Sequence, residues 1–307
     1  MQAAVDLDQH QPIVVPGSIS NLGPAFDALS VAVTVYLRVH ILEVRRSAPG
    51  TLEMEFPGGA PGGENRIETG FRRVEALFGE PAPGLRIRVE SDIPMRAGLG
   101  SSAAATVAGM RLYEAFTSPR DPGDLMVVAT GIEGHPDNAA AALYGGLTLS
   151  CQQDDGRVLT SAWPCPPDLR FVVATPEAEL ETAFARTVVP QTIPLRDAVF
   201  NLQRALLFVR ALETGEYGWL REALRDRWHQ PARAQYVPGL GEALALSHPA
   251  VHGVCLSGAG PSIAVFASGD AAAAEAALRG VYARVGVPCT IRTLSAHAPM
   301  APSGVPS

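Results

Sequence analysis

With 307 residues, 47% of them hydrophobic and 18% charged, the chain has ample apolar material for a packed core and the length for one large domain or two. Its formal net charge of −7 argues against a general nucleic-acid binder, which carries a basic footprint. All 24 of its lysine-plus-arginine residues are arginines, which excludes a Walker A lysine, the strand lysine of protein kinases and Schiff-base chemistry; phosphate handling falls to backbone amides, arginine, hydroxyls and a metal.

From the N-terminus, Met1 to Gln11 holds Asp6 and Asp8 and no basic region leading into an apolar core, so no signal peptide is expected. Ile13 to Val15 reads as a short strand entering a Gly/Ser/Asn/Pro stretch, and Val31 to Val44, rich in β-branched residues, as one or two strands. Leu85 to Glu90 alternates as a half-buried strand does. A glycine-rich turn follows, then helices over Ser101 to Phe116, Asp124 to Ile132 and Asn138 to Leu143, the last stopped by Gly145-Gly146. The proline cluster Trp163 to Pro167 is the candidate domain boundary, dividing the chain into 1–165 and 166–307. Beyond it come a strand at Leu169 to Ala174, helices at Asp197 to Glu213 and about Leu220 to Trp228, a strand through Val254, and a strand at Ile263 to Phe266. A helix over Asp270 to Val285 and a strand near Cys289 to Leu294 complete an order that resembles a ferredoxin-like half, and the tail after Ala298 is expected to fray. No apolar run approaches the roughly 18 residues of a membrane span. Cys151, Cys165, Cys255 and Cys289 lie far apart without metal-ligand spacing and read as free thiols of a cytoplasmic protein.

The turn Pro94-Met95-Arg96-Ala97-Gly98-Leu99-Gly100-Ser101-Ser102-Ala103-Ala104-Ala105 joins a strand to a helix. Its glycines let the backbone approach a ligand closely, Ser101 and Ser102 are good cap residues, and a helix N-terminus offers unpaired N–H groups and positive dipole to a polyphosphate. A serine hydroxyl there is also a hard-oxygen ligand for Mg²⁺. Taken alone, a Gly-x-Gly-Ser-Ser turn is as readily an ordinary capped turn. Dinucleotide binding is disfavoured, because the loop comes too late for a first βαβ unit and no acidic residue about 20 positions on follows a second strand.

The full run Pro94 to Ala105 resembles the second signature of the GHMP small-molecule kinases. Val15 to Asp27 resembles the first signature in its homoserine-kinase form, with Ile19-Ser20 in place of small residues and Ala25 in place of glycine. Gly253 to Ser262 matches the third, and the resemblance covers roughly residues 12 to 295. Glu133-Gly134-His135-Pro136-Asp137-Asn138 and the following Ala/Leu/Gly-Gly run resemble homoserine kinases in particular. Glu181 to Pro190 resembles the family segment T-x-x-A-R-x-x-L-P, and Asp226 to Arg233 resembles D-x-x-H-x-P-x-R.

The resemblance implies an α+β, two-domain GHMP kinase fold, with a ribosomal-protein-S5-like N-terminal α/β domain and a ferredoxin-like C-terminal domain. It implies Mg·ATP-dependent phosphorylation of L-homoserine to O-phospho-L-homoserine in threonine biosynthesis. Pro94, Met95, Arg96, Ala97, Gly98, Leu99, Gly100, Ser101, Ser102, Ala103 and Ala104 would bind ATP, and Ser102 and Glu133 the Mg²⁺. Asn21, Asp27, His135, Asp137, Thr182, Arg186 and Arg233 would bind the amino acid, the aspartates toward its ammonium and the arginines toward its carboxylate. Asn138 and Arg96 would act at the transfer centre, the third signature would be scaffolding, and a homodimer is common in the family. A kinase for another small alcohol, and a catalytically silent binding protein of the same fold, remain alternatives at this point.

Overall fold

The computed structural model describes residues 11–59, 62–178 and 180–300. The expectation of no signal peptide, drawn from Met1 to Gln11, lies outside them but for its last residue, as does the expected frayed tail from 301 on.

Two sheets organise the chain. The first is built around β2 (Leu29–Arg45), a single 17-residue strand whose β-branched residues bury alternately along its length. It pairs antiparallel with β1 (Ile13–Ser20), β4 (Gly84–Ser91) and β5 (Leu147–Gln152); β3 (Leu52–Glu55) runs parallel to β4, and β6 (Val158–Trp163) closes the far edge. A register shift between Ile41 and Glu43 lets so long a strand bend without breaking. Helices α2 (Ser101–Glu114) and α4 (Asp137–Tyr144) pack on β1 and β2, with α1 (Arg66–Phe78) and α3 (Pro122–Glu133) against them.

The second sheet has the order β10-β7-β9-β8, all antiparallel, from β7 (Leu169–Pro176), β8 (Gly253–Leu256), β9 (Ile263–Ser268) and β10 (Cys289–Leu294). With α10 (Ala272–Val285) between β9 and β10, this is the ferredoxin-like order expected. Between β7 and β8 run α5 (Thr182–Thr187), α6 (Leu195–Thr214), α7 (Leu220–Ala223), α8 (His229–Arg233) and α9 (Leu240–Leu244). One apolar core joins both sheets, with Val31, Phe71 and Ile87 in the same cluster as Phe171, Phe208 and Phe266.

Two expectations are corrected. The helix expected over Leu220 to Trp228 ends at Ala223, because the Asp226 carboxylate accepts from Asn201 Nδ2 and from the Trp228 and Gln230 amides, which breaks the helix and starts α8. The segment after Ala298 is pinned as far as Met300, whose amide donates to Tyr144 O, while the Gly146 amide donates to His297 O. Residues 295–300 thus return to the first sheet, over the glycines that stop α4.

Candidate active site

The first signature leaves β1 in a tight loop with left-handed backbone at Asn21 (φ 69°) and Asp27 (φ 58°), a conformation Asn and Asp tolerate better than other residues. Asn21 staples this loop. Its Oδ1 accepts the Asp27 amide at 3.0 Å and its Nδ2 donates to Gly258 O at 3.0 Å. Ala25, where the family pattern has glycine, does not need the left-handed region.

The phosphate loop ends on Gly100, the N-cap of α2, at φ 71°. Serine therefore does not cap this helix. Ser101 and Ser102 lie inside the first turn, and Ser102 Oγ instead donates to Glu133 Oε1 at 3.0 Å. A Cβ on Gly100 would stand 2.2 Å from Ser18 Oγ, and one on Gly98 2.3 Å from Ser257 O, so both positions require glycine by close approach as well as by φ. The third-signature turn behind them is tied in by Ser257 Oγ to Gly98 O and by the Gly258 amide to Ser20 O.

One pocket collects the pieces. All seven of the expected amino-acid residues, Asn21, Asp27, His135, Asp137, Thr182, Arg186 and Arg233, line it. So do Ser102, Glu133, Asn138 and Arg96, with Gly98, Gly100, Ser101 and Ala103 of the phosphate loop. Pro94, Met95, Ala97, Leu99 and Ala104 do not. Ala97, Leu99 and Ala104 are buried behind the loop, and Met95 stands exposed. Arg96 lies at the rim, 3.7 Å from Glu181.

The pocket is dense with charge. Arg186, on the last turn of α5, grips both Asp27 oxygens, Nη2 to Oδ1 at 2.7 Å and Nη1 to Oδ2 at 3.1 Å. His135 Nδ1 lies 2.6 Å from Asp137 Oδ1. Burial disfavours charge on both, yet the bond between them outweighs it, holding the Asp137 carboxyl below its usual range and lifting the His135 imidazole above its own. Asp27, His135 and Asp137 are close enough to share a cation, but the guanidinium already occupies both Asp27 oxygens, so the group reads as an ion-pair cluster.

Arg233 is only 2% exposed. It donates from Nε to Ala185 O and from Nη1 to Gly258 O and to His229 Nδ1. Burial first, and then Arg186, lower its pKa to about 10, which leaves it charged at neutral pH. Burial also lowers the His229 pKa and keeps the ring neutral, with Nε2–H donating to Gly23 O at 2.6 Å and Nδ1 accepting from Arg233. A histidine whose folded-state pKa is depressed stabilises the fold fully above its unfolded value and loses that contribution as pH falls below it. Melting temperature should therefore begin to fall as pH drops below about 6.5, while the Arg233 contact and the affinity for an anionic substrate group should be lost only at the lower pH where the folded-state ring takes a proton. The check is a pH series on wild type and His229→Gln, in which the glutamine should flatten both profiles.

These features match known proteins in family and in fold. Residues 65–146 match the model of the GHMP kinases N terminal domain, and residues 208–284 that of the GHMP kinases C terminal. The homoserine kinase of Thermus thermophilus is 41% identical over 259 residues, covering 83% of this chain and 86% of its own. The chain belongs to the GHMP kinase family. The homoserine kinase of Moorella thermoacetica is 36% identical over 290 residues, 92% of this chain and 97% of its own. The crystal structure of homoserine kinase from Cytophaga hutchinsonii superposes with a TM-score of 0.80 at 24% identity, covering 94% of this chain and 96% of that one. Membership makes this an ATP-using kinase of two-domain GHMP fold, as the signatures implied.

For a GHMP kinase, four further residues matter that sequence reasoning passed over. Thr106 Oγ1 donates to Glu133 Oε1 at 2.7 Å, and its place one turn after Ser102 on the same helix face was a usable signal. Ser18 Oγ donates to Asn138 Oδ1 at 2.7 Å. Phe26 lies beneath two guanidiniums, 5.5 Å from Arg186 and 5.3 Å from Arg233. His229, which buttresses Arg233, stands at i and i+4 to it inside a motif already noted.

Proposed function

We propose that this GHMP kinase transfers the γ-phosphate of Mg·ATP to the side-chain hydroxyl of L-homoserine, yielding O-phospho-L-homoserine for threonine synthesis. The observation that carries the reading is one pocket that brings Asp27 and Asp137 together with Arg186 and Arg233 beside the N-terminus of the phosphate-loop helix. The names of the most similar relatives support it.

Asp27 and Asp137 would take the α-ammonium, and Arg186 with the Nη2 edge of Arg233 the α-carboxylate, each through charge-assisted hydrogen bonds. Held at both ends, the substrate has its hydroxyl arm as the free end, and positioning of this kind supplies much of the barrier reduction in phosphoryl transfer. Asn138 is oriented by Ser18 so that its amide serves the transfer centre, and the first-turn amides of α2 would bear on the phosphates. A loose transition state asks for little prior deprotonation of an alcohol, so no general base is assigned.

The Ser102 hydroxyl and the Glu133 carboxylate, 3.0 Å apart with Thr106 on the same oxygen, are a hard-oxygen donor set that fits Mg²⁺. When bound, the ion neutralises charge on the phosphates during transfer. An ADP-release assay with L-homoserine, L-threonine, L-serine and mevalonate tests the substrate assignment. Homoserine should give the highest kcat/KM, and better turnover of mevalonate, which has no ammonium, would refute it.

Residues 1–165 and 166–307 are proposed as its ATP-binding and C-terminal domains. Among the described residues no helix is long and apolar enough to cross a membrane, and dependence on ATP supports the cytoplasm as its place of action. A homodimer is the proposed assembly. In its support, α6 turns Leu195 (80% exposed), Val199, Leu202 (61%) and Leu206 (65%) outward along one stripe, with Ala198 and Ala205 a heptad apart beside it. Leu202→Glu/Leu206→Glu should convert a dimer to a folded monomer in sedimentation, while the exposed Leu159→Glu should not.

A further inference from the structure

Two of the site's recognition charges satisfy each other directly. Arg186 grips Asp27 with both terminal nitrogens, in the plane that suits a carboxylate. The two partners differ in freedom. Asp27 is fixed by its left-handed backbone and by the bond from its amide to Asn21. Arg186 sits on a six-residue helix, its side chain about one-third exposed at 35%, over the Phe26 ring it shares with Arg233. Arg186 is the part that can swing.

The surroundings make a stranded charge costly on either side. Released Asp27 would stand within 4.8 Å of both Asp137 and His135, and released Arg186 would face Arg233, whose pKa it already lowers, so each would exchange a two-point partner for weaker neighbours of mixed sign. In the pocket Asp27, Glu133 and Asp137 stand against Arg96, Arg186 and Arg233. A zwitterion adds one charge of each sign and leaves the balance intact.

We propose that the Asp27–Arg186 pair is a specificity clasp, opened at low cost only by a ligand that brings both an ammonium for Asp27 and a carboxylate for Arg186. This rests on the homoserine reading above and adds to it. A compound with one charged end loses its own missing contact and also leaves half of the clasp unpaired. Discrimination against amino alcohols and hydroxy acids is thereby greater than the contact count alone gives.

The clasp makes an inverted prediction. Removing Arg186 should impair homoserine yet improve a ligand that needs only Asp27. Calorimetry with Mg²⁺ and a non-hydrolysable ATP analogue, using homoserine and 3-amino-1-propanol, reads both without turnover. In Arg186→Gln, homoserine should bind at least tenfold more weakly, while 3-amino-1-propanol binds about fivefold more tightly than in wild type, the scale of a partly exposed ion pair. The mirror pair is Asp27→Asn with 4-hydroxybutyrate, which should also gain about fivefold. This arm decides the matter if Arg186→Gln does not fold. If the singly charged ligands bind the variants no better than wild type, Arg186 and Asp27 are contacts only and the clasp is wrong. Failure of wild type to bind homoserine at all would instead overturn the substrate assignment.

Discussion

Glu133→Gln is expected to lower kcat by about a hundredfold while leaving the affinity for homoserine nearly unchanged. The carboxylate stands at the end of α3, at the stop set by Gly134 in left-handed conformation. There it receives hydroxyls from Ser102 and Thr106 of α2 on one oxygen. Glutamine keeps the size and one carbonyl but surrenders the negative charge that a divalent ion requires. The loss should therefore deepen at low Mg²⁺ and recover partly at high Mg²⁺. Thr106→Val leaves the carboxylate in place but untethers it, and about a tenfold loss with the same Mg²⁺ signature is expected of a positioning residue. A Mg²⁺ titration of kcat/KM in both variants is the check, and profiles parallel to wild type would remove Glu133 from the metal site.

Arg233→Leu should raise the KM for homoserine by at least a hundredfold with little change in KM for ATP. A charged hydrogen bond to the carboxylate accounts for about 1.5–3 kcal/mol, or roughly tenfold to a hundredfold or more. The rest comes from Ala185 O, which loses its side-chain donor, and from Gly258 O, which is left with the Asn21 Nδ2 bond alone, loosening the third-signature turn against the Asn21 loop. Because the side chain is 2% exposed, the variant should also be less stable, by on the order of 3 kcal/mol. Kinetics belong at a temperature where circular dichroism shows it folded. A KM for ATP rising in step with that for homoserine would mean general damage and would count against a carboxylate role.

The parts of the site made by local chain geometry were legible in the sequence. The glycines at 98 and 100 announce a close backbone approach, and the β-branched run of β2 announces a strand. The run from Glu133 to Asn138 announces a helix stop followed by a helix start. What was not legible depends on which distant side chains meet. Nothing local tells that Arg186 reaches back to Asp27, or that Ser18 finds Asn138 across 120 positions. The short elements α5, α8 and α9 carry too few residues to show a period, and α8 exists because Asp226 is captured by Asn201 from another helix. The strands β5 and β6 escaped for a related reason. Their outer faces bear exposed Leu149 and Leu159, so the alternation that marks a half-buried strand is blurred.

The central claim is that this site phosphorylates the hydroxyl of a zwitterionic amino alcohol acid. Phosphorus NMR of the protein with Mg²⁺, ATP and L-homoserine tests it most directly, because the bond formed is itself observed. A phosphomonoester resonance coupled to the γ-methylene protons of homoserine should grow in step with ADP. ADP appearing with no such ester, or an ester forming on mevalonate and not on homoserine, would contradict it.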